Sequence, residues 1–291
     1  MSVSVGVDLG GTGTRLVALR NDGVVHRELT VPTPRDVVSP DERVAELARQ
    51  IRSLCADARL ETVGIGASGP IDAAGIIRNP DTLPAFTGLA LTTMLSASLG
   101  VPCTLDNDTV TAAIGENAYG AGDHSRSLLM ITLGTGVGVS VLAEGRPFRG
   151  PDGIHPEAGH IPVPGTAARC YCGLGTCWEQ LASRQALDAL TDNRTAELAV
   201  AAVAGDVHAM DVFEDYGRRV GTGTGALVTI FRPERIVFGG SAAQYLPLFA
   251  GGLEHEFGRS GAFQCSVDVV EAALGSLSGA IGAAVMARQR I

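Results

Sequence analysis

The chain has 291 residues, 45% of them hydrophobic and 18% charged, and all 22 of its basic residues are arginine. Without lysine there is no Schiff-base chemistry, no pyridoxal phosphate anchor and no Walker A loop, so any phosphate handling rests on backbone amides, arginine or metal. A net charge of -9 and a pI near 5.1 repel nucleic acid and anionic membranes, and neither is expected as a partner.

Val3 to Val7 is an apolar run ending in Asp8-Leu9-Gly10-Gly11-Thr12-Gly13, and the next run, Thr14 to Leu19, is again β-branched and apolar. This glycine loop therefore joins strand to strand, whereas Rossmann and P-loop sites need a helix after the glycines. Asn21-Asp22-Gly23 turns into a third strand, Val24 to Arg27. Ser39 as N-cap, Pro40 at the first helical position and Glu42 in a capping box predict a helix with the apolar face Val44, Leu47, Ala48, Ile51 and Leu54. Thr62 to Ala67 and Val101 to Leu105 fit buried strands, and Asn107 or Asp108 caps a helix through about Ala118.

The plan then repeats. Leu128 to Leu142 is an apolar strand, the loop Gly134-Thr135-Gly136 and a second strand. Helices are expected near Glu179 to Leu190, Ala196 to Ala204 and Asp206 to Phe231, followed by a strand, Ile236 to Phe238, that runs into Gly239-Gly240. A last helix spans Ser276 to Arg290. Duplicated hairpins with alternating strands and helices predict an α/β protein of two similar lobes around a cleft. The uncharged stretches Ser127 to Ala143 and Ala272 to Ala287 are shorter than the roughly 20 residues of a membrane span. No basic region precedes an apolar core at the N-terminus, so a cytoplasmic protein is expected.

Opposed Gly/Thr hairpins offer backbone amides and hydroxyls to the phosphates of a nucleotide, and Asp8 at the end of the first strand is placed to hold Mg2+ through water. A carboxylate at Asp106 or Asp108 would orient an acceptor hydroxyl and take its proton in phosphoryl transfer. Cys55, Cys103 and Cys265 stand alone, whereas Cys170, Cys172 and Cys177 cluster. With His160 they form a closed set of one imidazole and three thiolates, the composition of a structural Zn2+ site. Glu157 and Glu179 bracket that cluster, where carboxylates can bind vicinal sugar hydroxyls.

Taken together, these segments resemble the ROK family of bacterial sugar kinases and repressors, in the actin-like, hexokinase-type ATPase superfold built from duplicated ribonuclease H-like halves. Asp8-Leu9-Gly10-Gly11-Thr12 resembles the first phosphate motif, Leu133 to Gly138 the second, and Gly239-Gly240 the pair that approaches the adenosine. Gly64 to Ile71, with Gly69, resembles the strand and loop of the sugar pocket. Asn107-Asp108 falls where the family carries its sugar-binding asparagine and catalytic aspartate, which favours Asp108 over Asp106. Glu157-Ala158-Gly159-His160 resembles the ExGH motif, whose histidine meets both sugar and zinc, and Cys170 to Glu179 resembles CxCGxxGCxE, the most specific match.

Three positions depart from the family pattern. Gly13 replaces a common lysine, with Arg15 as the nearby cation; Thr82 replaces a sugar-binding asparagine; and Thr176 replaces a glycine. The resemblance implies an ATP-dependent, glucokinase-like kinase acting on the 6-hydroxyl of a hexose, working as a homodimer with ATP, Mg2+ and structural Zn2+. Its alternatives are a kinase for a hexose analogue, such as N-acetylmannosamine, another amino sugar or a cyclitol, and a sugar-binding or regulatory member with impaired catalysis. Repressors of the family carry a helix-turn-helix domain before the first phosphate motif, which starts here at Asp8, so a repressor is the lesser expectation. The expected lobes are residues 1–110 with a C-terminal helix of about 276–291, and residues 111–275 carrying the zinc loop.

Overall fold

The computed structural model describes residues 1–36, 38–165, 169–259 and 266–289. Cys265 and Arg290 lie outside the described residues. Two compact units form: one from Met1–His124, Leu142–Pro156 and Ala273–Ile291, the other from Ser125–Val141 and Glu157–Ala272.

In the first unit, β1 (Ser2–Leu9), β2 (Gly13–Arg20) and β3 (Val25–Pro32) make an antiparallel meander, and β4 (Arg59–Ala67) and β5 (Cys103–Asn107) add in parallel to give the order β3-β2-β1-β4-β5. Side chains alternate across a strand, and β1 uses the two faces differently. Val3, Val5, Val7 and Leu9 enter a core with Val44, Leu47 and Ile51 of α1 (Pro40–Cys55), whose N-terminus has the expected Ser39/Glu42 capping box. Ser4, Gly6 and Asp8 face the other way, onto α9 (Ser278–Gln289). There Arg288 Nε donates to Ser4 Oγ at 3.0 Å, and a Cβ at Gly6 would fall 1.7 Å from the Ala280 carbonyl oxygen.

The α9 backbone is equally close to α3 (Asp108–Tyr119), where a Cβ at Gly282 would fall 1.7 Å from the Thr111 carbonyl oxygen. The lobe boundary expected at residue 110 is corrected on this account: α3 packs on α9, β4 and β5, and the first unit runs on through His124. Glu116 of α3 is fully buried and accepts bonds from the amides of Ala121, Ala273 and Leu274 and from the Ser278 hydroxyl, at 2.7–2.9 Å. Four donors meet a buried carboxylate and fix the start of α9 against α3.

The second sheet contains β6 (Ser127–Leu133), β7 (Val137–Ala143), β8 (Arg146–Pro147), β9 (Arg235–Gly239) and β10 (Asp268–Glu271) in the order β10-β9-β6-β7-β8. Taken from β8, that order matches the first sheet strand for strand, so the repeat expected from the hairpins extends to whole sheets. Its core gathers Leu129, Ile131, Trp178, Phe213, Tyr216, Phe238 and Phe249, with α7 (Val207–Phe231) packed on α8 (Leu246–Arg259). The helix expected over Glu179 to Leu190 is two, α4 (Glu179–Ala182) and α5 (Arg184–Leu190), because Ser183 is extended and its hydroxyl caps α5 at Ala186. Two further helices are α6 (Thr195–Val203), close to its expected span, and α2 (Leu91–Leu99), which sequence patterns did not indicate and which starts at Ala90 without a side-chain cap. Among the described residues no helix is long and apolar enough to cross a membrane.

The close approach has a measurable consequence. Gly282→Ala should lose about 1–3 kcal/mol of unfolding free energy, the usual cost of forcing a group into a filled core. An unchanged denaturation midpoint would show that α3 and α9 are not in backbone contact.

Candidate active site

The β1–β2 loop is held from behind by the chain that follows β3. Thr33 donates from Oγ1 to the Gly10 carbonyl at 2.6 Å and from its amide to the Thr12 carbonyl at 3.3 Å, and Gly10 N closes the turn on Gly13 O at 3.2 Å. Thr12 is exposed at the tip. A side chain at Gly13 has room, since the nearest atom to a Cβ there is the Val31 carbonyl oxygen at 3.9 Å. Thr82 reaches the same loop: its methyl would lie 2.7 Å from a Cβ on Gly11. Asn79 holds the Thr82 segment in place, accepting from Thr82 N at 3.2 Å and donating to Ser68 O at 3.0 Å; it also fills the space beside Gly69, which has a left-handed φ of 93°.

Three acidic residues at the ends of β1 and β5 have distinct surroundings. Asp106 is buried and bound by both terminal nitrogens of Arg149, one of which also donates to Gly153 O at 3.2 Å. Asn107 is the N-cap of α3, accepting from Thr109 N at 2.8 Å and Val110 N at 3.3 Å. Burial holds the Asp108 carboxyl above the ordinary range, against the opposing pull of the Thr109 amide, the Ser68 hydroxyl and the charge of His155. Asp8 lies against the first turn of α9 at Gly279, with Arg15 Nη1 3.7 Å away on the neighbouring strand. Its carboxyl is raised to about 7, first by burial and then by Asp108, while Arg15 opposes the shift. By residue type alone Asp106 and Asp108 are equivalent candidates; the Arg149 pair separates them.

In the second unit the β6–β7 loop is equally constrained. Gly134 N donates to Gly136 O at 3.0 Å, Arg184 N to Gly134 O at 2.8 Å and Ala242 N to Leu133 O at 3.0 Å. Gly240, at φ 80°, passes so near the Leu133 backbone that a Cβ would lie 2.6 Å from it. This brings the Gly239-Gly240 turn to the base of the loop that carries Gly134, Thr135 and Gly136. Glu179 reaches the loop from α4: Oε2 accepts from Val137 N at 3.1 Å, and a Cβ on Gly136 would strike that same oxygen.

His160, Cys170, Cys172 and Cys177 converge, with one ligand atom from each lying within 4.8 Å of the others. His160 Nδ1 faces Cys170 Sγ at 3.5 Å and Cys177 Sγ at 3.7 Å, while Nε2 faces away, 2.9 Å from the Tyr171 hydroxyl and 4.0 Å from Glu179 Oε2. Burial pushes the Cys177 thiol up to about 12, whereas the Leu174 amide lowers that of Cys172. A soft dication held by thiolates would reverse the first of these. Glu157 is exposed just before the short helical turn that carries His160. Sequence reasoning did not find Thr33, Asn79, Arg149, His155, Tyr171 or Arg184; each acts through a partner set by tertiary register, with no local signature.

Two sheets of one strand order, each opening on a glycine hairpin, define an actin-like ATPase fold. The chain belongs to the ROK family, whose model matches residues 4–290. The glucokinase of Streptomyces coelicolor is 28% identical over 99% of this chain and 98% of its own length. Among solved structures, the ROK hexokinase from Thermus thermophilus superposes with a TM-score of 0.84 at 32% identity, covering 99% of this chain and 98% of that one. A ROK family glucokinase from Streptomyces griseus in complex with glucose and AMPPNP gives a TM-score of 0.81 at 28% identity, covering 99% and 100%.

The raised Asp8 carboxyl fixes a pH dependence. A folded-state value near 7 against about 3.9 unfolded means the native state holds the proton longer, so this group costs stability as pH rises through that window. In Mg2+-free buffer, Asp8→Asn should raise the melting temperature at pH 8, and the gain should vanish below about pH 4. Equal gains at both pH values would place the effect outside this titration.

Proposed function

We propose that the protein is an ATP-dependent kinase that transfers the γ-phosphate to the primary 6-hydroxyl of a hexose, with glucose the first acceptor to test. The observation that carries the reading is the separation of the two acids beside α3. Asp106 is committed to Arg149, whereas Asp108 is met by hydroxyls, an amide and the charges of His155 and Asp8, and keeps a raised affinity for protons. A base nearer neutrality accepts a proton from an alcohol more effectively. The glucose and AMPPNP complex of the Streptomyces griseus relative supports the same pair of ligands.

In this reading Asp108 orients the acceptor hydroxyl and takes its proton. Asn107, Glu157, His160 and Glu179 hold the sugar, with Gly69 and Thr82 lining its place. Gly10 to Gly13, Arg15, the Gly134-Thr135-Gly136 loop and Gly239-Gly240 serve the nucleotide. Asp8 would hold Mg2+, which supplies charge neutralisation on the phosphates. His160, Cys170, Cys172 and Cys177 would hold Zn2+ as a closed structural set, supported by their mutual distances. We read the protein as a cytoplasmic homodimer on the strength of its family. Thr82 favours a second reading of the acceptor: its methyl packs on Gly11 and it offers one hydroxyl where an amide has donor and acceptor, which suits an amino sugar or cyclitol.

A coupled ADP assay across glucose, mannose, N-acetylated hexosamines and cyclitols identifies the acceptor. Asp108→Asn should lower kcat by at least about a hundredfold, the scale of general-base catalysis, with no loss of melting temperature; full turnover in that variant would remove Asp108 as the base. Metal analysis should find about one zinc per chain, and Cys172→Ser should lower that content and raise the acceptor KM together. A zinc-free protein of full activity would overturn the metal assignment.

A further inference from the structure

His160 has two ring nitrogens, and the structure divides them. Nδ1 is turned toward Cys170 Sγ and Cys177 Sγ at 3.5 and 3.7 Å. If Nδ1 ligates a metal, the neutral ring carries its one hydrogen on Nε2. That nitrogen lies 2.9 Å from the Tyr171 oxygen and 4.0 Å from Glu179 Oε2. One N–H serves one acceptor well, and here the acceptor is Tyr171.

Tyr171 is unusually placed for that task. Its backbone lies between Cys170 and Cys172, so a metal-bound loop would fix its Cα, yet the residue is 84% exposed. The ring meets His160 edge-on, with centroids 5.0 Å apart and planes at 81°. Apart from the hydroxyl bond and this edge contact, the side chain faces solvent, and a change of rotamer frees Nε2.

We propose that Tyr171 is a specificity-determining latch on the acceptor site: its hydroxyl occupies the His160 Nε2–H that a sugar hydroxyl must take, and the acceptor binds by displacing it. The inference rests on the kinase reading above, in which His160 contacts the sugar. An acceptor whose hydroxyl makes a good bond to Nε2–H replaces the tyrosine at little net cost. An acceptor lacking that hydroxyl leaves the latch in place and keeps its bond, so the tyrosine holds down the advantage that the His160 contact would otherwise give the matching acceptor.

Tyr171→Phe removes the competing oxygen and keeps the ring. It should lower the acceptor KM, and the acceptor Kd by calorimetry, by about three- to tenfold, the range that one hydrogen bond commands, while kcat stays the same. It should also widen the gap between the best acceptor and its analogue lacking the hydroxyl that meets His160. A loosened loop would instead raise KM and lower zinc content, so the direction of the change separates the latch from a structural role. Wild-type binding and turnover with KM and Kd unchanged or raised in Tyr171→Phe overturn the latch alone. Wild-type protein that neither binds nor phosphorylates any sugar in the panel overturns the kinase reading, and the latch with it.

Discussion

The first unit is built around a helix with almost no side chains on its inner face. The α9 backbone lies against β1 and β4 at Gly6 and Gly64 and against α3 at Gly115 and Gly282, distances at which a single methyl would overlap a carbonyl oxygen or amide nitrogen. Such contact needs a glycine on one of the two surfaces, facing the backbone of Ala280, Ala283, Ser278 or Thr111 on the other, and the dense packing it gives leaves little room for adjustment. The functional consequence is positional. Asp8 shares its β1 face with Ser4 and Gly6, so seating α9 on that face brings the first helical turn against the Asp8 carboxylate. Glu116 fixes the same helix start to α3, whose own first residue is Asp108. Two acids of the candidate site are thus set by one helix that contributes no functional side chain.

The second unit reaches a comparable result by different means. Its glycine hairpin is braced from the side by Glu179, which follows directly on Cys177 and Trp178. Trp178 is fully buried, and its indole nitrogen donates to the Arg219 carbonyl of α7 at 3.1 Å. The cysteine loop is therefore tied into the core at one residue and to the hairpin at the next. The same carboxylate that caps a hairpin amide stands 4.0 Å from His160, so the hairpin and the cysteine–histidine cluster share one side chain.

Much of this was legible in the sequence because it is local. Strand-loop-strand periodicity in both hairpins, the Ser39/Glu42 capping box and the close spacing of Cys170, Cys172 and Cys177 each declare themselves within a dozen or so residues. What was illegible depends on register. Arg149 pairs with Asp106 across 43 positions, and Thr33 ties the first glycine loop only because β3 returns beside β2. The α2 helix has no cap to announce it, and the break at Ser183 looks like any serine inside an apolar periodic stretch. The division of labour between the nitrogens of His160 is a matter of ring orientation, which no motif records.

The absence of lysine gains a definite meaning at one place. Gly13 has open space beside it, so steric crowding does not explain the missing side chain. Arg15, two residues further on in β2, has Nη1 3.7 Å from Asp8 Oδ2. Burying Asp8 close to Asp108 sets two carboxylates against each other, and the Arg15 guanidinium opposes that cost at Asp8. At 3.7 Å, with a side chain one-third exposed (34%), that guanidinium lies beyond hydrogen-bonding distance of the acid and still faces solvent. Arg15 thus offsets part of the cost of burying Asp8 from the strand after the loop, and the positive charge of the first hairpin sits on β2 instead of at the loop itself.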